Sequence, residues 1–179
     1  MNPELDKKLC EAFPILYQDR EAPMQSTCMC WGFPGDGWFQ IIWDLSEKLE
    51  ALLGKLPKDM CYCGHNRTSH SIPRDCPSLP QYRREGESYE SLTCEQCNCH
   101  KFCDHRPKAV QVKEKFASLR FYMSAETDEM SVLIRAAEKL SVITCEDCGK
   151  KGKIRNDIGW YLTLCTKCWK KHKEARCKK

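Results

Sequence analysis

Cys145, Cys148, Cys165 and Cys168 form two CxxC pairs sixteen residues apart, and no other feature constrains the fold of this chain as tightly. Two residues between cysteines let one tight backbone turn aim both thiolates at one ion. Two such pairs make the tetrahedral sulfur set of a structural zinc site. The second pair opens a helix-compatible run from Trp169 to Arg176. That order predicts a treble-clef-like finger: a metal knuckle, a β-hairpin, then a helix whose first turn supplies the last two ligands. Two redox CxxC pairs are the competing reading. They require a strand–helix–strand setting, and the neighbouring sequence offers none.

The chain carries 15 cysteines in 179 residues, close to the density of a cysteine-stapled scaffold. The spacings CxC, CxxC and CxCGH favour zinc over disulfides, because adjacent thiols suit one ion better than one another. Hydrophobic residues make up 41% and charged residues 30%. The core is therefore expected to be small and to need a metal to hold it. Met1-Asn-Pro-Glu-Leu-Asp-Lys-Lys is polar, and no apolar stretch resembles a signal peptide or a membrane helix. The expectation is a reduced, cytoplasmic protein with no membrane partner.

The formal net charge is +4, but it counts each cysteine as a neutral thiol. A zinc held by four thiolates carries a local charge of about −2. Two or three such sites bring the chain close to neutrality, so the total says little about nucleic acid. The distribution says more. Residues 142–179 hold eleven Lys/Arg against four Asp/Glu, and the rest of the chain sums to −3.

Residues 1–56 with 109–141 read as one helical and β core. Asn2 and Pro3 start a helix that Pro14 stops. Asp36 is the expected cap of the longest helix, which carries Trp38, Ile41, Ile42, Leu45, Leu49, Leu52, Leu53 and Leu56 at helical spacing. Gly54 and Pro57 mark its end. Val110, Val112, Phe116, Leu119, Phe121 and Tyr122 alternate with Lys113, Lys115 and Arg120. They fit one bent strand or a hairpin about Ala117-Ser118. Thr127 caps a helix bearing Met130, Leu133, Ile134, Ala137 and Leu140. Residues 142–179 form the basic finger.

Residues 57–107 lose apolar periodicity and read as an inserted metal module. Cys61, Cys63, His65, His70, Cys76, Cys94, Cys97 and Cys99 are eight candidate ligands, enough for two tetrahedral sites. His100, Cys103 and His105 are nearby spares, and one zinc with leftover thiols is the simpler alternative. The whole chain is expected to hold two or three structural Zn2+ ions. Cys28 and Cys30 read as buried thiols under a Trp31–Trp43 cluster, with a metal shared with Cys10 and Cys177 as the other option. His172, among lysines, reads as a surface residue.

Four stretches together resemble a family of small, uncharacterised bacteriophage proteins. They are Cys28-Met-Cys-Trp-Gly-Phe33, Gly35-Asp-Gly-Trp-Phe39, Val112-Lys-Glu-Lys-Phe-x-x-Leu-Arg-Phe-Tyr122 and Cys145-Glu-x-Cys-Gly149. Relatives in that family show Gly-Gly where this chain has Ala117-Ser118, which argues against an especially tight turn there. Cys61-x-Cys-Gly-His65-x4-His70 with Cys97-Asn-Cys99-His-Lys-Phe102 is similar to a small zinc module of bacterial and phage proteins. The resemblance implies phage origin and action in the cytoplasm of an infected bacterial cell.

Three classes of function remain. The leading expectation is a non-enzymatic module that binds and inhibits a host factor, such as a defence system or the transcription machinery, through the metal-held insert. The alternative is a nucleic-acid-binding finger. Lys150, Lys151, Lys153, Arg155, Lys167, Lys170, Lys171, Lys173 and Arg176 would meet phosphates there, and Trp160, Tyr161 and Trp169 would supply stacking surfaces. A solvated basic face offsetting thiolate charge competes with it. Lys113, Lys115 and Arg120 are further candidates for a phosphate or nucleotide. A metal- or nucleotide-dependent enzyme comes last. The deaminase signature is absent, and His65-Asn66 matches the HNH nucleases only at that pair.

Overall fold

The computed structural model describes residues 1–25, 27–55, 70–71, 93–94, 107–157 and 159–177. The candidate ligands Cys61, Cys63, His65, Cys76, Cys97 and Cys99 lie outside the described residues. The fold is α+β. In chain order the elements are α1 (Pro3–Ala12), α2 (Phe39–Lys55), β1 (His70–Ser71), β2 (Thr93–Cys94), β3 (Ala109–Lys115), β4 (Ser118–Met123), α3 (Asp128–Ser141), β5 (Lys153–Arg155), β6 (Leu162–Leu164) and α4 (Thr166–Cys177). The strands form three two-stranded antiparallel pairs, β1–β2, β3–β4 and β5–β6. The β1–β2 register sets His70 opposite Cys94, two of the candidate ligands. Among the described residues no helix is long and apolar enough to cross a membrane.

Local chemistry explains the starts of α1 and α3. Asn2 Oδ1 accepts from Glu4 N at 2.8 Å, with Pro3 next in the chain, and Thr127 Oγ1 accepts from Met130 N at 3.3 Å. Asp36 departs from the expectation. It opens a single 3₁₀ turn, Asp36–Trp38, and its carboxylate accepts from Asn2 N at 2.5 Å instead of capping α2. The competing donor lies 34 residues away, so the tertiary contact displaces the local one.

Trp38, Ile42, Leu45, Leu49 and Leu53 bury one stripe of the second helical segment. They pack with Leu9, Phe13, Leu16 and Tyr17, with Val112, Leu119 and Phe121 of the β3–β4 hairpin, and with Met130, Ile134 and Ala137 of α3. Truncating such a buried leucine to alanine costs about 2–5 kcal/mol. Buried polar groups inside the core are paired. Tyr17 Oη and Ser46 Oγ lie 2.5 Å apart, and Ser46 donates to Ile42 O at 2.6 Å. Both carboxylate oxygens of Glu50 accept backbone N–H groups, from Ile15 and Leu16. Ala109 N donates to Leu16 O, and Cys28 N donates to Val110 O. The hairpin is thus joined to the N-terminal segment despite the long stretch of chain between them.

The Trp31–Trp43 cluster does not form. Trp31 is 72% exposed, and Trp43 packs on Phe13 and Phe39 instead. Cys28 is exposed and Cys30 half-buried. The hairpin turn is also tighter than expected and shifted by one residue. Lys115 pairs with Ser118, leaving Phe116 and Ala117 as a two-residue turn with φ of 53° and 62°. Matching the right-handed strand twist demands positive φ at both positions, and Glu114 Oε1 supports it by accepting from Ala117 N at 2.6 Å.

Candidate metal centre

The first cysteine pair sits on a closed knuckle. Thr144 bridges Lys151, Cys145 N donates to Lys150 O at 2.7 Å, and Gly149 N donates to Cys145 O at 2.9 Å. Gly149 has φ of +73°, a conformation that glycine adopts without a Cβ penalty. The chain then runs through β5 and β6 and enters α4 directly after Cys165. Trp169 N donates to Cys165 O, so Cys165 immediately precedes the helix and Cys168 lies in its first turn. The four sulfurs converge: all lie within 4.8 Å of one another, and Cys148 Sγ and Cys165 Sγ are 3.7 Å apart. They form a site that can hold a metal ion such as zinc. Among the described residues no other such group exists, and Cys10, Cys28 and Cys30 do not assemble one.

The sulfurs differ in electrostatics. The Cys168 N–H, 3.4 Å from Cys165 Sγ, pulls the Cys165 thiol down to about 6. Burial pushes Cys145 and Cys168 up, and the neighbouring sulfurs add to the rise at Cys168. Four sulfurs this close cannot all ionise beside one another unless a cation joins them.

The knuckle is seated on the α2 side of the core. Gly37 N donates to Glu146 O at 2.7 Å, and the buried Trp38 gives its Nε1–H to Thr144 O at 2.7 Å. No side chain fits at Gly37. A Cβ there would overlap the Cys145 carbonyl and lie 2.5 Å from Gly149 N and 2.6 Å from Cys148 N. A Cβ at Gly35 would overlap the Glu146 carbonyl. On the other side, the buried Thr163 Oγ1 donates to Ala117 O at 2.7 Å and so joins β6 to the β3–β4 turn.

The basic candidates differ in their surroundings. Arg120 is committed to the fold: Nη1 lies 3.5 Å from Glu138 Oε2 and donates to Ser118 Oγ. Lys113 and Lys115 lie over the rings of Tyr122 and Phe116. Arg155 and Lys173 both lie over Trp169, at 4.8 Å and 5.0 Å, and Trp169 Nε1 donates to Asp157. Trp169 therefore clamps the finger. Trp160 and Tyr161 are exposed. Lys150, Lys151, Lys153, Lys167, Lys170, Lys171 and Arg176 are exposed on the finger. His172 lies at the surface, as expected, and its Nε2 lies 2.9 Å from Asp147 Oδ2, which ties α4 to the knuckle. Sequence reasoning missed this link and the role of Gly37. The only available signal was the unusual Gly35-Asp-Gly37 spelling.

No family model matches the chain, and no solved structure matches it. Laminin subunit alpha-1 of Homo sapiens is 26% identical over 136 residues, 74% of this chain, and that of Mus musculus is 24% identical over 136 residues. The chain spans 4% of the length of these curated relatives. That likeness carries neither a family nor a function to this chain.

Proposed function

We propose that the chain is a non-enzymatic zinc protein whose treble-clef-like C-terminal finger binds nucleic acid in the cytoplasm of an infected bacterial cell. The cellular setting follows from the phage resemblance. The sulfur spacing is consistent with zinc. A tetrahedral ion at about 2.3 Å from each sulfur needs sulfurs about 3.8 Å apart, and Cys148 and Cys165 stand 3.7 Å apart. Four thiolates fill the coordination sphere, which makes zinc structural and leaves no open position for catalysis.

One observation carries the nucleic-acid reading. Among the described residues, Lys150, Lys151, Lys153, Arg155, Lys167, Lys170, Lys171, Lys173 and Arg176 make no ion pair. The finger's surplus of seven positive charges falls only by two when a tetrathiolate zinc forms. Apart from Arg155 and Lys173, which lie over Trp169, its cations are therefore not consumed by internal pairing. They are available to displace counterions from phosphates. The host-factor reading rests on the insert, most of which lies outside the described residues.

A mobility-shift series of the zinc-loaded chain over salt tests this. Binding should weaken linearly on a log–log plot, and Lys153→Gln with Lys171→Gln should reduce the slope by up to about 2. No shift at the lowest salt would end the nucleic-acid reading.

A further inference from the structure

We infer that the ligand of this surface is an unpaired nucleic-acid strand, held by base stacking on Phe116, Trp160 and Tyr161. The inference rests on the nucleic-acid reading above and adds the class of strand. It starts from Phe116. A bulky residue at φ of 53° occupies a region that ordinary side chains avoid. Its ring is 69% exposed, so burial does not offset the strain. A strained, exposed aromatic at a turn tip is expected where function demands it.

Its neighbours point the same way. Trp160 is 73% exposed and Tyr161 51%. The Phe116 and Tyr161 rings meet edge to face, with centroids 6.4 Å apart and planes at 82°. The rings come from different hairpins, yet the Thr163–Ala117 hydrogen bond fixes one hairpin to the other. They stand on a common rigid base, not on two independent loops. Cations flank them. Lys115 Nζ lies 5.6 Å from the Phe116 ring centre. The Arg176 guanidinium lies against Gly159, where a Cβ would come within 2.5 Å of Nη1. Exposed rings beside unpaired cations are the elements of a single-strand platform, with bases on the rings and phosphates on the cations. A duplex keeps its bases stacked inside and offers these rings nothing to pair with.

Fluorescence anisotropy on the zinc-loaded full chain tests the inference. The probes are a labelled oligothymidylate about 16 nucleotides long and a duplex of equal length. The single strand should bind at least about tenfold tighter. Trp160→Ala should weaken it by roughly 5- to 150-fold, leaving the duplex unchanged. Phe116→Asn should do the same with the fold intact, because Asn tolerates left-handed φ. Equal binding of strand and duplex, indifferent to both variants, would overturn the stacking inference and leave the nucleic-acid reading standing. Neither probe binding at low salt would overturn both and leave the platform to a protein partner.

Discussion

Glu146 illustrates how far one residue's behaviour depends on packing. Its backbone works for the fold, donating to Thr163 O and accepting from Gly37 N. Its side chain is poorly placed: Oε2 is buried without a hydrogen-bond partner. Burial first, then Glu114 and Asp147, push its carboxyl from 4.5 up to about 7. The folded state therefore holds a proton that the unfolded chain releases. Stability from this group is full below pH 4.5 and is lost as pH rises to about 7. Glu146→Gln should remove that loss. Urea midpoints should show the variant gaining on wild type across this window. The gain at the upper end should be about 1 kcal/mol, reduced from the full shift because solvent reaches part of the carboxyl. Taking the difference between the two proteins cancels the thiols' own pH dependence. An unchanged difference would show that Glu146 is ionised and solvated. At this scale the sequence was legible only where the partner was local. Asn2 and Thr127 cap as read, because each bonds a backbone N–H two or three residues on. Asp36 and Trp31 were misread, because their environments are set by residues far away in the chain.

Among the elements, α4 shows what a bound ion would contribute to the finger. The helix has 12 residues, near the length at which isolated helices are marginal even with favourable sequences. Its polar face is nearly continuous. The buried cluster beneath it contains only Cys145, Leu164 and Cys168, flanked by Leu162, Cys165 and Trp169. Three of those six belong to the sulfur cluster that can hold a metal ion. Metal binding supplies on the order of 10 kcal/mol to such folds at neutral pH, far more than this cluster can. Chelation, or Cys168→Ser, should abolish the α4 helical signal in circular dichroism, and zinc should restore it only after chelation. Helicity unchanged on metal removal would refute a structural ion. The finger was the most legible element, since CxxC spacing is local and the four sulfurs it predicts do converge. The β3–β4 turn was less so. Its position one residue early depends on the pairing of Lys115 with Ser118 and on Glu114 supporting a strained turn, neither of which alternation alone reveals.

In the whole molecule, the finger and the helical core meet through backbone at Gly35 and Gly37, through Trp38, and through Thr163. The sequence divided these segments at residue 142 on composition. Composition does not report a docking made by glycines, whose contribution is the absence of a side chain. Two glycines therefore predict opposite outcomes for the same substitution. Gly37→Ala drives a methyl into the Cys145 carbonyl and the Cys148 and Gly149 amides. Backbone atoms cannot move aside as side chains do, so the knuckle must lift from the core, at a cost of about 1–3 kcal/mol or more. Gly54→Ala lies within α2, with nothing inside 4 Å of the new Cβ. It should stabilise by up to about 1 kcal/mol, the helix preference of alanine over glycine. Thermal melts of the zinc-loaded proteins should move in opposite directions. Zinc content should stay at the wild-type level in both, because neither change touches a sulfur. If Gly37→Ala melted like wild type, the knuckle would not be seated on the core, and metal binding in the finger would add nothing to the stability of the helices.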